Sequence, residues 1–360
     1  MGALDFGLKC LRIYAGADSS RLALREEDHN QPYRGTKIPT SVTLSATYRC
    51  NLNCRHCQSE NDRNKPDIPT DRFLRLIDEI ADAGATKVGF TGGEPLVRKD
   101  FGELVTRCQE KGLLVSVVSN SWLVKKRIDT LKGINLLFLS VDGNREVHDR
   151  IRGPGSWDKF LEAVDTAKSN GIPVAALTTL MSHNHPCLQE MADTFTELGI
   201  HWMAGLIQTE FTARTEQDLS AEQVRDMASI LSRAPCLRTS KRYLRFMTSG
   251  KPMDRCFAGI GYCIVGPDAI LYPCFPAQFD HENYRGVANP EVADRREAAT
   301  APYSGVDLMT KTFGQAFEEM PLYRRTCRTC ALACHAEANY LHVFDPGAIL
   351  QSFHLMRAPR

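Results

Sequence analysis

Between residues 42 and 206 the chain alternates short apolar segments with longer stretches of helical period, and this alternation constrains its fold more than any other feature. SVTLSA, TKVGFT, LLVSVVS, INLLFLSV, VAALTTL and HWMAGL read as buried strands. Asp71–Gly84 and Trp157–Gly171 space apolar residues three and four apart and end in glycine, as amphipathic helices do. Six strands separated by helices require right-handed crossovers, so an α/β fold with a parallel sheet or partial barrel is expected. Chemistry on such a sheet gathers at the carboxyl ends of the strands.

The 360 residues suffice for about two domains. Lysine and arginine number 44 against 43 acidic residues, and without a basic stripe nucleic acid is not expected as a partner. No signal peptide and no apolar run of membrane-spanning length is present, so the expectation is a cytoplasmic protein without membrane attachment. Thirteen cysteines in such a chain point to metal before disulfides.

Nine of the thirteen are grouped. Cys50, Cys54 and Cys57 follow the first strand, and six more fall between Cys256 and Cys334. Cys10, Cys108, Cys187 and Cys236 stand singly, where burial as a small apolar side chain is the usual role. A closed metal site wants four protein ligands; three leave one corner open.

The spacing Cys50-x3-Cys54-x2-Cys57 after a first strand resembles the signature of the radical S-adenosylmethionine (radical SAM) enzymes. The resemblance implies a partial (β/α)6 TIM barrel and a [4Fe–4S] cluster on those three cysteines, with S-adenosylmethionine as fourth ligand. It continues at Gly92, Gly93, Glu94 and Pro95, similar to the family's methionine-binding loop, and at Ser119 and Asn120, where the family places polar residues near the ribose. Ser140 and Arg152 match a serine–arginine pair that holds the cofactor carboxylate in the subgroup with SPASM or twitch modules. His148 and Asp149 belong to the same stretch and could equally be structural. Cys256 to Cys274 and Cys327 to Cys334 resemble the halves of such a module. One auxiliary [4Fe–4S] cluster is implied, its ligands to be drawn from Cys256, Cys274, Cys327, Cys330 and Cys334. Where the pattern has a glycine, this chain has Ala269.

The expected organisation is an N-terminal extension over residues 1–40, the radical SAM barrel over 41–207, a helical connector over 208–255, the auxiliary module over 256–334 and a tail over 335–360. The resemblance implies reductive cleavage of S-adenosylmethionine to a 5′-deoxyadenosyl radical, with flavodoxin or ferredoxin as electron donor. The substrate is expected to be a small polar molecule, a sugar, cyclitol or nucleoside conjugate in a natural-product pathway. Oxidation, epimerisation and decarboxylation are the open outcomes. Epimerisation would need a hydrogen donor, for which Cys263 and Cys187 are the candidates. A ribosomally made peptide is the alternative substrate, disfavoured because only 49 residues precede Cys50. Phe275, where sulfatase-maturating enzymes carry an acid, speaks against that role. A tetrapyrrole is a third possibility, and a non-catalytic zinc protein would not need GGEP or the Ser140/Arg152 pair. Asn184, His201, Glu210 and Arg214 are candidates for the pocket lining.

Overall fold

The computed structural model describes residues 37–57, 64–207, 219–249, 256–279 and 305–320. The six expected strands are all present: β1 (Ser41–Ser45), β2 (Lys87–Thr91), β3 (Leu114–Ser119), β4 (Leu136–Ser140), β5 (Val174–Leu180) and β6 (His201–Leu206). Between them run α1 (Thr70–Asp82), α2 (Phe101–Glu110), α3 (Arg145–Arg152), α4 (Ser156–Ser169) and α5 (Leu188–Glu197). The strands lie in sequence order and every neighbouring pair is parallel.

Alternation along each strand sorts the side chains into two faces. Val42 and Leu44, Val88 and Phe90, Val115 and Val117, Leu137 and Leu139, and Trp202 and Ala204 share one continuous core with Phe73, Leu76 and Ile80 of α1 and with Phe101 and Leu104 of α2. Phe160 of α4 and Phe195 of α5 belong to the same core. Each fully buried Val, Leu, Ile or Phe among them contributes about 1.5–3 kcal/mol. Helices therefore cover one face, which is the arrangement of a barrel wall and not of a doubly wound sheet. The residues between, among them Thr43, Thr91, Ser116, Phe138, Ser140, Leu177, Thr179 and Met203, are only half-buried. They form an accessible inner face.

Residues 219–249 hold two helices, α6 (Ala221–Arg233) and α7 (Lys241–Ser249). The segment between these helices covers the sheet edge. Trp202 N donates to Cys236 O at 2.9 Å, Arg238 N donates to Trp202 O at 2.7 Å, and Ala204 N donates to Thr239 Oγ1 at 2.9 Å. An open edge strand would otherwise invite pairing with another chain.

At the other edge the sheet continues into the C-terminal region. β7 (Tyr262–Val265) pairs parallel with β1, and β8 (Ile270–Tyr272) and β9 (Val306–Asp307) follow antiparallel. Short helices α8 (Phe275–Phe279) and α9 (Phe313–Glu319) complete the described elements. Arg72 on α1 fastens this region: it pairs with Glu79 and donates to Leu308 O at 2.6 Å, while Glu79 accepts from Phe313 N at 2.8 Å.

Register also corrects the reading of Cys263. It lies beside Val42, so its side chain faces the helix-side core, where it is 1% exposed. Burial raises its pKa, and it stands on the face opposite the one a substrate can reach. It is not placed to be a hydrogen donor.

Ala269 closes the β7–β8 hairpin at φ +63°, the left-handed region a glycine would favour. The turn thus takes a left-handed conformation at an alanine. Ala269→Gly would relieve roughly 1–2 kcal/mol of backbone strain. It would also lose a buried methyl, about 0.8 kcal/mol, and loosen the unfolded chain by about 0.4–1 kcal/mol. The variant is expected to unfold within about 1 kcal/mol of the parent in urea; a larger loss would mean the methyl packs against more than burial suggests.

Candidate functional site at the carboxyl ends of the strands

The first cysteine group occupies the loop that leaves β1. A turn closed by Cys57 N donating to Cys54 O at 3.0 Å brings the cysteines together. Cys54 is buried, and Cys50 and Cys57 are half-buried. Burial pushes the Cys54 thiol up to about 11; the Arg152 guanidinium pulls it down, and Cys57, Cys50 and Asp142 add to the rise. Ionising such a thiol takes a bound cation.

The loop after β2 is fitted against this one. Gly93 N donates to Thr47 O at 2.7 Å and Glu94 N to Arg49 O at 2.9 Å. A Cβ on Gly93 would fall on the Arg49 carbonyl and within 2.7 Å of Tyr48 O, and one on Gly92, at φ +127°, would lie 2.6 Å from Thr47 O. Both glycines serve close backbone contact. Pro95 starts a single 3-10 turn, Pro95–Val97, which the Glu94 side chain caps by accepting from Leu96 N at 3.2 Å.

Glu94 is 1% exposed. Its carboxylate also accepts from Ser119 Oγ at 3.0 Å and Asn120 N at 2.6 Å, tying the β2 loop to the end of β3. The side chain of Asn120 turns to the cysteine loop, donating to Asn51 Oδ1 at 2.8 Å and to Cys50 Sγ at 3.6 Å. Ser119 and Asn120, expected beside a ribose, thus spend these groups on joining loops.

Burial pushes the Glu94 carboxyl up to about 7, against hydrogen bonds from Asn120, Leu96 and Ser119 that lower it. A carboxyl that is neutral in the fold but ionised when unfolded favours the fold below the unfolded pKa, and the gain disappears as pH rises through the folded one. Chemical unfolding of the cluster-free chain is therefore expected to show stability falling by up to about 3 kcal/mol from pH 4.5 to above 7. Glu94→Gln should flatten that slope, and an unchanged slope would place the titration elsewhere.

Ser140 ends β4, half-buried on the inner face beside Leu177. Two residues on, Asp142 is fully buried and accepts from Arg152 Nε at 2.6 Å and from Thr179 N at 3.1 Å. Arg152 arrives on α3, whose N-terminus Asn144 caps by accepting from Val147 N at 3.2 Å. Arg55 N donates to Ile151 O at 3.1 Å, joining α3 to the cysteine loop.

His148 lies in the core, edge-on to Trp157, and accepts from Asp142 N at 3.1 Å. Burial and then the Arg152 charge lower its pKa to about 4, so it is neutral. Asp149 accepts from Gly155 N and Trp157 N and closes the α3–α4 turn. Both are structural.

Other candidates are dispersed. Cys187 is buried between two loops, accepting from Asn144 N and donating to Asn184 O, both at 3.4 Å. Asn184 is fully buried in its own turn, bonded to Met181 N and Thr179 O. His201 begins β6 and so lies at the amino end of the sheet, away from the site. Glu210, Arg214, Cys327, Cys330 and Cys334 lie outside the described residues. Cys256 and Cys274 come together around a second core of Phe257, Ile260, Tyr262, Tyr272 and Ala277.

Sequence reasoning passed over Asp142 and Arg98. Arg98 is 3% exposed and donates to Ala46 O at 3.0 Å, Ile68 O at 3.1 Å and Asp100 at 2.6 Å, bracing the start of the cysteine loop. The signal available was a charge set inside an otherwise apolar strand-end motif.

This donor set fits an iron–sulfur cluster with S-adenosylmethionine. Cys54 and Cys57 lie within electrostatic reach of the buried Arg152 guanidinium, and the loop that carries the three thiols packs against a glycine-lined turn. Among the described residues no group of three His, Cys, Asp or Glu side chains is placed to hold a single metal ion.

Comparison with known proteins agrees. Residues 44–198 match the model of the radical SAM superfamily. The AdoMet-dependent heme synthase of Methanosarcina barkeri is 27% identical over 273 residues, 66% of this chain and 77% of that protein. The PqqA peptide cyclase of Rhodopseudomonas palustris is 24% identical over 343 residues, 88% of either chain. The crystal structure of Streptococcus suis SuiB bound to precursor peptide SuiA superposes with a TM-score of 0.63 at 15% identity, over 80% of this chain and 66% of that one. Residues 44–198 thus form a radical SAM domain, of a family that binds S-adenosylmethionine and a [4Fe–4S] cluster.

Proposed function

We propose that this protein is a radical SAM maturase acting on a ribosomally made peptide. The observation that carries the reading is the likeness to a PqqA peptide cyclase along 88% of both chains. The expectation of a sugar, cyclitol or nucleoside-like substrate is overturned by these relatives, whose names are those of a peptide cyclase and a haem synthase. Composition had offered no information on the substrate.

We assign the radical cluster to Cys50, Cys54 and Cys57, with an electron carrier of flavodoxin or ferredoxin type as donor. When bound, the cluster and S-adenosylmethionine supply a 5′-deoxyadenosyl radical that removes hydrogen from a substrate C–H bond. Gly92 and Gly93 hold the β2 loop against the cysteine loop, and Glu94 locks it to β3. Arg152 offers a positive charge for the cofactor carboxylate. On the inner face Leu177 and Met203 are register partners on β5 and β6, next to Ser140, and form an apolar floor for a substrate side chain. A substrate covering this face would exclude water from the reacting atoms. Cys256 and Cys274, with ligands from Cys327, Cys330 and Cys334, are assigned to one auxiliary cluster, which suits an oxidative outcome. Epimerisation through Cys263 loses its support from the register of β7.

The test is anaerobic incubation of the reconstituted protein with S-adenosylmethionine, reductant and either the short peptides encoded beside its gene or an iron porphyrin precursor of haem. A mass change in a peptide, with stoichiometric 5′-deoxyadenosine, is expected. Turnover of the porphyrin with inert peptides would replace this reading by a tetrapyrrole one.

A further inference from the structure

The buried pair formed by Asp142 and Arg152 holds a geometric detail that neither the motif spacing nor the comparisons assign. Asp142 engages Arg152 through Nε alone, at 2.6 Å. A carboxylate meeting a guanidinium freely tends to take two parallel hydrogen bonds. Here the other Asp142 oxygen is already occupied by Thr179 N at 3.1 Å, the Asp142 backbone N–H is fixed on His148 Nδ1, and the His56 ring stands 3.6 Å from the first oxygen. The carboxylate is thus locked by β5 and α3, with no exposed surface.

The two terminal nitrogens of Arg152 are consequently left over. Among the described residues they have no hydrogen-bond partner, although the side chain is only 10% exposed. The guanidinium lies within electrostatic reach of Cys54 and Cys57. A buried planar cation gripped at one nitrogen and open at two is preorganised for a carboxylate.

We propose that Asp142 is a positioning residue, which clamps Arg152 by Nε so that its two terminal nitrogens are presented to the carboxylate of S-adenosylmethionine. Asp142 acts through Arg152 and touches no reacting atom. Its negative charge also keeps the guanidinium from turning toward the cysteine sulfurs, where its charge would otherwise be drawn.

The experiment measures equilibrium binding of S-adenosylmethionine to the anaerobically reconstituted full chain, with iron counted in each sample. Asp142→Asn keeps the shape but removes the charge, and should weaken binding about tenfold or more, as loss of an outer partner does at other ligand sites, with iron unchanged. Arg152→Gln should weaken it by as much or more. The double variant should bind no worse than Arg152→Gln alone, because Asp142 has nothing left to position. Losses that multiply in the double variant, or parental affinity in Asp142→Asn, would overturn the proposal. If Asp142→Asn fails to fold, Arg152→Lys carries the test: a lysine keeps the buried charge but cannot hold Asp142 with one nitrogen and present two others. A tenfold loss is expected there too, and parental affinity would overturn the proposal.

Discussion

Replacing Cys54 by alanine is expected to abolish reductive cleavage of S-adenosylmethionine and to lower iron by about four atoms per chain. Cys54 is the most buried of the three thiols, 8% exposed, and the turn that carries it depends on its carbonyl and not on its sulfur. The loop should therefore keep its backbone, at a cost of about 1 kcal/mol for the lost atom. Cys256 and Cys274 pack in a separate core and should be untouched. Iron analysis and 5′-deoxyadenosine release check this together. Continued 5′-deoxyadenosine formation by the variant would remove Cys54 from the cluster.

The second large effect is expected at Gly93. Its missing side chain is a contact: a Cβ there would strike the backbone of Tyr48 and Arg49, just before Cys50. Backbone on both sides cannot swing away as a flexible side chain can. Gly93→Ala should cost about 3 kcal/mol, at the upper end for overpacking, and should push the β2 loop off the cysteine loop. Thermal unfolding of the cluster-free variant reads the first effect, and recovery of iron on reconstitution reads the second. A variant with parental stability and full iron would mean that the two loops do not need this contact.

The fold was legible in the sequence because its signal is local. Alternation of apolar runs with helical period gave all six strands, and glycines marked the ends of α1 and α4 within two residues. The three cysteines, GGEP and Arg152 were legible as a pattern, and the structure gathers them at one end of the sheet.

What failed to show was set by register and by contacts between distant loops. Cys263 alternates with apolar neighbours, which says that it is buried but not on which face; pairing with Val42 decides that. His201 was assigned by its residue type to a pocket, yet its place at the first residue of β6 puts it at the wrong end. Glu94, Ser119 and Asn120 looked like three cofactor ligands because each follows a strand. Their mutual hydrogen bonds, spanning 25 and 26 positions, make them first a brace between loops. Asp142 was overlooked because a buried carboxylate is recognisable only once its partners Arg152 and Thr179 are in place.

The substrate was beyond the reach of the sequence for a different reason. The inner face is built from residues spread over six strands, many of them small and common, such as Thr43, Ser116 and Thr179. Such a surface acquires specificity from shape, and shape leaves no spacing to read.

One assay decides whether this sheet end holds a cluster able to cleave S-adenosylmethionine. The protein is reconstituted anaerobically with iron and sulfide, reduced with dithionite, and given S-adenosylmethionine alone. Methionine and 5′-deoxyadenosine are expected in equal amounts, with both lost when Cys50, Cys54 and Cys57 are replaced together. A fully loaded protein that leaves S-adenosylmethionine intact, or one whose cleavage survives the triple replacement, would contradict this expectation.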